Sequence, residues 1–161
     1  MMADGRSQRL LTKRGLAWGW SHSGTQVALT RRNGEVEDVY VVTVSNRKER
    51  LVASGADWPS WSPTAAQLAY VGGRGGSGTP TLGLVNSNGT GNRWLTDGRW
   101  EEGYPAWSSD GRKLVFSRQF FQNRVPGLQW DVFVVNADGS AERRLTNYRA
   151  GDDVVPIWSS S

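Results

Sequence analysis

The chain has 161 residues, 20 of them Gly and 6 Pro, with nine Trp and no Cys. That is long enough for one sizeable core and suits many tight turns, and it excludes a disulfide framework and thiol chemistry. A net charge of +4 and a single histidine, His22, set two further limits: multi-histidine metal sites are ruled out, and the Lys and Arg residues are scattered rather than gathered on one face as phosphate binding needs, which argues against nucleic acid.

Four times a Trp is followed by a Ser, at Trp20-Ser21, Trp61-Ser62, Trp107-Ser108 and Trp158-Ser159, with spacings of 41, 46 and 51 residues. Periods of this size mark repeat architectures and lie close to one propeller blade. In chain order, Met2 to Thr12 (MADGRSQRLLT) aligns without a gap to Asn136 to Thr146 (NADGSAERRLT), so the chain reads as opening at the turn before the last strand of a blade. Ala17 to Ala53 (AWGWSHSGTQVALT, DVYVV, ERLVA) and Trp58 to Thr96 (WPSWSPTAAQLAYV, LGLVN, NRWLT) follow as two full units. The third is the clearest, with Gly103 to Ser117 (GYPAWSSDGRKLVFS) and Asp131 to Thr146 (DVFVVNADGSAERRLT). It gives an apolar segment ending in Trp-Ser, a turn, an alternating run, a loop, a second run, an Asp-Gly turn and a final short run, hence four antiparallel strands. Val154 to Ser161 (VVPIWSSS) resembles Tyr104 to Ser109 and reads as one more innermost strand.

The expected fold is therefore all-β, a β-propeller segment of three four-stranded antiparallel blades plus a stray strand at each end. It forms one partial-propeller domain over residues 1–161: 1–14 as the last strand of a preceding blade, 15–54, 55–97 and 98–150 as the blades, and 151–161 as the first strand of a further blade. Such an arc is short of the about four to eight blades of a closed ring. Its terminal blades are expected to be covered by further blades of a longer polypeptide or by a second copy in a homo-oligomer.

These motifs, YPAWSSDGRKLVFS and DVFVVNADGSAERRLT above all, resemble the TolB-like β-propeller repeat family. The resemblance covers nearly the whole chain. It is looser in the first unit, where Ser21-His22-Ser23-Gly24 stands for Ser-Ser-Asp-Gly, and loosest at Ser62 to Ala66, which has no Gly. It implies six or seven blades, residence in the periplasm or outside the cell, and work as a protein-binding platform or as an accessory domain of a larger enzyme. It implies no catalytic residue. No signal peptide and no apolar run long enough to span a bilayer is visible in the chain.

Residue by residue, chemistry finds little support. No Gly-x-Ser-x-Gly elbow is present, and Gly72 to Gly78 lacks the Gly-Lys-Ser/Thr ending of a phosphate loop. The Asp-Gly pairs at Asp4, Asp110 and Asp138 read as hairpin turns rather than calcium loops. Arg9, Arg50, Arg93 and Arg144 recur on outermost strands and read as edge-protecting charges. No metal or cofactor is expected. The four repeat tryptophans read as core wedges between blades, each worth roughly 4 to 6 kcal/mol as an upper value.

Binding is the stronger expectation. In an up-and-down blade, the segments leading into each innermost strand share a face with the connections between second and third strands. The latter are expected to be long loops over Arg31 to Asp38, Gly72 to Pro80 and Ser117 to Trp130. The lead-in segments place Asp57, Glu101, Glu102, Asp152 and Asp153 there as an acidic rim, broken at Lys13 and Arg14. Tyr104, Phe120, Phe121 and Trp130 are candidate aromatic anchors beside Arg124, for a basic peptide, an amine or a cation. The function read from the sequence is a non-enzymatic scaffold binding a protein or peptide through this face. The alternatives are an accessory propeller of a serine oligopeptidase and a structural subunit of a larger assembly.

Overall fold

The computed structural model describes residues 10–73, 78–121, 128–147 and 154–158. Twelve strands and no helix are assigned among them. The first sheet holds β1 (Leu16–Trp20), β2 (Gln26–Asn33), β3 (Val36–Thr43) and β4 (Glu49–Ala53). The second holds β5 (Ala56–Trp61), β6 (Gln67–Gly73), β7 (Pro80–Asn86) and β8 (Arg93–Trp94); the third holds β9 (Glu102–Trp107), β10 (Lys113–Phe121), β11 (Leu128–Asn136) and β12 (Arg143–Arg144). Each sheet is antiparallel and runs in sequence order from its innermost strand outward, as a propeller blade does. Among the described residues no helix is long and apolar enough to cross a membrane.

The repeated Trp-Ser pair ends each innermost strand for a local reason. Ser21, Ser62 and Ser108 are buried, and each hydroxyl caps the turn that follows. Ser21 Oγ accepts from Gln26 N at 3.1 Å and Ser108 Oγ from Lys113 N at 2.9 Å. At Ser62, where the turn has no Gly, Oγ accepts from Thr64 N and Ala65 N at 3.3 and 3.2 Å, so the hydroxyl stabilises the turn without a residue at positive φ. Where Asp-Gly is present the glycine takes the left-handed conformation its turn requires, at φ 68° for Gly111 and 91° for Gly139.

The core lies between blades rather than within them. Alternating residues of β2, β3, β6 and β7 (Ala28, Val39, Val41, Leu68, Tyr70 and Val85) fill the first junction; Ala69, Leu82, Leu84, Leu114, Phe116 and Val135 fill the second. Each junction is locked by an indole. Trp61 Nε1 donates to the Gly19 carbonyl at 3.1 Å and Trp107 Nε1 to the Ser60 carbonyl at 3.0 Å. Trp158 Nε1 repeats the contact on the Ala106 carbonyl at 3.0 Å. In every case the acceptor is the residue before the previous repeat's Trp.

Two sequence expectations change. The connections between second and third strands are shorter than expected, because the strands run on. Arg31 pairs with Asp38 inside a β2–β3 ladder, Gly73 pairs with Pro80, and β10 pairs with β11 out to Phe121 and Leu128. The recurring outer-strand arginine of the third blade is Arg143, since Arg50, Arg93 and Arg143 share one register opposite Val41, Leu84 and Val134. Two of these reach the next blade, Arg50 Nη1 to the Asn88 carbonyl at 3.4 Å and Arg93 Nη2 to the Ala137 carbonyl, whereas Arg144 turns inward to Asp131. Of the expected end strands over 1–14 and 151–161, residues 1–9, 151–153 and 159–161 lie outside the described residues, and 10–14 and 154–158 carry no strand assignment.

Candidate functional site

The innermost strands carry a repeated irregularity. Their ladders slip between Ala17 and Gly19, between Asp57 and Ser60, and opposite Val115 and Ser117, so each strand has a bulge just before its Trp. At the second and third bulges a residue preceding proline takes a positive φ, Trp58 at 49° and Tyr104 at 54°, and Val155 repeats it at 58°. A bulky residue before proline is doubly disfavoured there, at a cost of roughly 1 to 3 kcal/mol each. The effect of such a bulge is to re-aim side chains. Here Trp58 and Tyr104 meet with ring centroids 4.7 Å apart. Together with Trp18, Trp20, Pro105 and Ile157 they line a recess of about 380 Å³ at the innermost strands.

The sequence-read site residues do not form one cluster. Tyr104 is in the recess, and Asp57 lies beside it, its Oδ1 accepting from Trp58 N at 2.7 Å. Glu101 and Trp130 come together at the mouth of the third blade through the Gln119 amide, which donates to Glu101 Oε2 at 3.0 Å and accepts from Trp130 Nε1 at 3.2 Å. Phe120 and Phe121 lie in β10, paired with Gln129 and Leu128. Arg124, Asp152 and Asp153 lie outside the described residues.

Glu102 is corrected: it is no rim residue but is 1% exposed and spent inside the molecule. Its Oε2 accepts from Leu82 N of the second blade at 2.7 Å and from the Thr96 hydroxyl; Oε1 accepts from Arg118 Nε and Nη2 at 2.9 and 2.6 Å. Burial pushes its carboxyl above the ordinary value, and Arg118, Thr96 and the Leu82 amide pull it back. Arg118 in turn pairs with Glu142 at 2.6 Å and lies over the Phe133 ring at 4.6 Å. Glu102 thereby supplies the second blade with a carboxylate that its neighbours hold for themselves. Asp38 and Asp131, both 1% exposed, occupy on β3 and β11 the place that Thr81 takes on β7. Asp38 accepts from Ser54 Oγ, Gly55 N and Asn33 Nδ2, and these outweigh burial and hold its carboxyl below the usual range.

Sequence reasoning missed Trp58, Trp18 and Glu37. The signal for Trp58 was its place before proline, three residues ahead of the repeat Trp, a position shared with Tyr104. Glu37 lines a second recess of about 240 Å³ with Asp57, Trp58 and Gly72, where the lead-in to β5 meets the β2–β3 and β6–β7 connections. Among the described residues no group of three His, Cys, Asp or Glu is placed to hold a metal ion.

No family model matches the chain. It is 33% identical over 102 residues to the Tol-Pal system protein TolB of Gluconobacter oxydans, a match covering 63% of the chain and 21% of that protein. The structure resembles the crystal structure of TolB from Acinetobacter baumannii, with a TM-score of 0.72 at 15% identity over 98% of this chain and 39% of the other. It also resembles the β-propeller domain of the Trilobed protease from Pyrococcus furiosus, with a TM-score of 0.58 at 15% identity over 84% of this chain and 45% of that one. The chain thus spans about a fifth of the sequence relative and less than half of either structure.

Proposed function

Taking three blades of a TolB-like β-propeller as the premise, we propose that the chain is a non-enzymatic scaffold that binds a protein or peptide through the mouth face of its blades. The observation that carries this is the strained pair Trp58 and Tyr104, held against each other at the wall of an aromatic recess. Packing alone does not require backbone strain at equivalent positions of successive repeats, whereas a preformed aromatic platform for a partner gives that strain a use. Asp57 and Glu101 flank the platform as acidic partners, and Phe120, Phe121, Arg124, Trp130, Asp152 and Asp153 complete the partner-facing set. Glu102 does not belong to it. By relation to TolB the protein works in the periplasm. The chain packs on further blades or on a second copy, and Trp20 and Ile157, 59% and 84% exposed in the recess, are open to a partner. The resemblance to the propeller domain of the Trilobed protease favours one second reading, an accessory propeller of a peptidase.

A random dodecapeptide display library panned on the 161-residue chain tests the proposal. Selected peptides are expected to bind wild type and to lose about tenfold or more in affinity to a Tyr104→Ser variant, as loss of a central anchor costs upward of about 1 to 2 kcal/mol. An absence of binders, or binders indifferent to Tyr104 and lost instead on substitution of the turn residue Asn88, overturns it.

A further inference from the structure

The position eleven residues after the repeat Trp carries an arginine in blades 1 and 3 and a glycine in blade 2: Arg31, Arg118 and Gly72. In blade 1, the guanidinium of Arg31 lies 4.6 Å over the Tyr40 ring and bonds Glu49 at 2.8 Å. In blade 3, Arg118 lies over Phe133 between Glu102 and Glu142. Blade 2 keeps the register, Ala56 pairing with Gly72 as Glu102 pairs with Arg118. It lacks the residues, with Gly72, Gly83, Asn92 and Ala56 in the places of arginine, aromatic ring and both glutamates. Tyr70 fills the space above Gly83 and donates its hydroxyl to Asn92. At Gly72 itself a side chain would meet the Gly55 carbonyl oxygen at 2.9 Å, and a separate notch of about 240 Å³ lies alongside, lined by residues of blades 1 and 2.

We propose that this notch takes an arginine or lysine side chain from an extended segment of a partner polypeptide, held by the two carboxylates that line it. The inference rests on the reading of the mouth as a partner-binding face and narrows that partner to a basic one. Trp58 is one of the lining residues. The carboxylates of Glu37 and Asp57 supply the charge complementarity, and the lining residues described include no cation. Beyond the two acids the surface becomes basic, with Arg14, Arg31 and Arg32; Arg31 is committed to Glu49, and Arg32 Nε to the Gly34 carbonyl at 3.2 Å. The backbone of Gly55, Gly72 and Gly73 lines the rest of the notch, leaving a basic side chain room to enter.

The test is a titration of the ¹⁵N-labelled chain with Nα-acetylarginine methylamide and with its citrulline counterpart, a neutral isostere. Saturable shifts are expected at the amides of Gly55, Gly72 and Gly73, with citrulline binding about tenfold or more weaker because the charge-assisted hydrogen bonds are lost. Asp57→Asn combined with Glu37→Gln should weaken the arginine probe by a similar factor and leave the remaining spectrum in place. Equal binding of the two probes, shifts centred elsewhere, or indifference to the double neutralisation overturns the assignment. Library peptides that bind at Tyr104 without needing a basic residue overturn the notch alone. Arginine amide held in the notch while no peptide binds the mouth overturns the broader reading alone.

Discussion

Replacing Arg118 with methionine removes the guanidinium while keeping an apolar stem over Phe133. It leaves Glu102, whose side chain is 1% exposed, as a buried charge facing the place of a lost partner whose own side chain is 9% exposed. Stranding one member of a buried pair costs about 3 to 5 kcal/mol. The double variant Arg118→Met with Glu102→Gln strands no fully buried charge, since Glu142 is 34% exposed, and the new amide oxygen still accepts from Leu82 N and Thr96, so its loss should fall to about 1 to 2 kcal/mol. With the Glu102→Gln single variant completing the cycle, the predicted coupling between the two residues is about 2 kcal/mol or more. Arg31 is the internal control: it pairs with Glu49 at side-chain exposures of 24% and 32%, and its methionine variant should lose about 1 kcal/mol or less. Urea unfolding at pH 7, followed by tryptophan fluorescence, measures all four. A loss below about 1 kcal/mol for Arg118→Met, or a coupling near zero, would refute the view that Glu102 bolts the second blade to the third.

Trp107→Phe keeps most of the buried ring but strands the Ser60 carbonyl, and should cost about 1 to 3 kcal/mol, while Trp20→Phe at an exposed position should cost less than about 0.5 kcal/mol in the same assay. Asp38→Asn should lose about 1.5 to 3 kcal/mol at pH 7. Because the folded carboxyl lies below the ordinary value of 3.8, its contribution is present above that pH and lost as pH falls through the folded value, so the gap to wild type should narrow below about pH 4. A gap unchanged down to pH 2.5 would contradict the assignment. Gly83→Ala should destabilise, since its Cβ would come within 2.8 Å of the Tyr70 ring, and Tyr70→Leu should restore part of the loss; melting curves of the single and double variants check this.

The repeat, its period and the strand order were legible because the Trp-Ser pair is written at the surface of the pattern: a buried indole needs a fixed offset from the turn its serine caps. Strand length was not, because Arg31, Arg32 and Glu37 look like loop residues although they pair across a ladder whose outer end projects toward solvent. Glu102 misled for a related reason. It neighbours Glu101 in sequence, but strand alternation turns one carboxylate outward and the other inward, and only the partners Leu82, Thr96 and Arg118 reveal which. The arginine eleven residues after the Trp of blades 1 and 3 was a visible signal that went unused, since its meaning lies in the aromatic ring and glutamate that accompany it there. Trp58 was hidden by its rarity, as nothing in composition favours a tryptophan with positive φ ahead of proline.

The indole lock also bears on how such arrays lengthen. Each blade carries one donor, its own Trp, and one acceptor, the carbonyl just before that Trp, in the same register at both junctions. Duplication of a whole unit would therefore create a junction already equipped with both halves, with no new contact to evolve. Interactions confined to adjacent units let stability grow additively with their number. Contacts such as the Glu102 bolt, present at one junction and replaced by Ala56 at the other, are then the places where copies that began alike acquire individual characters.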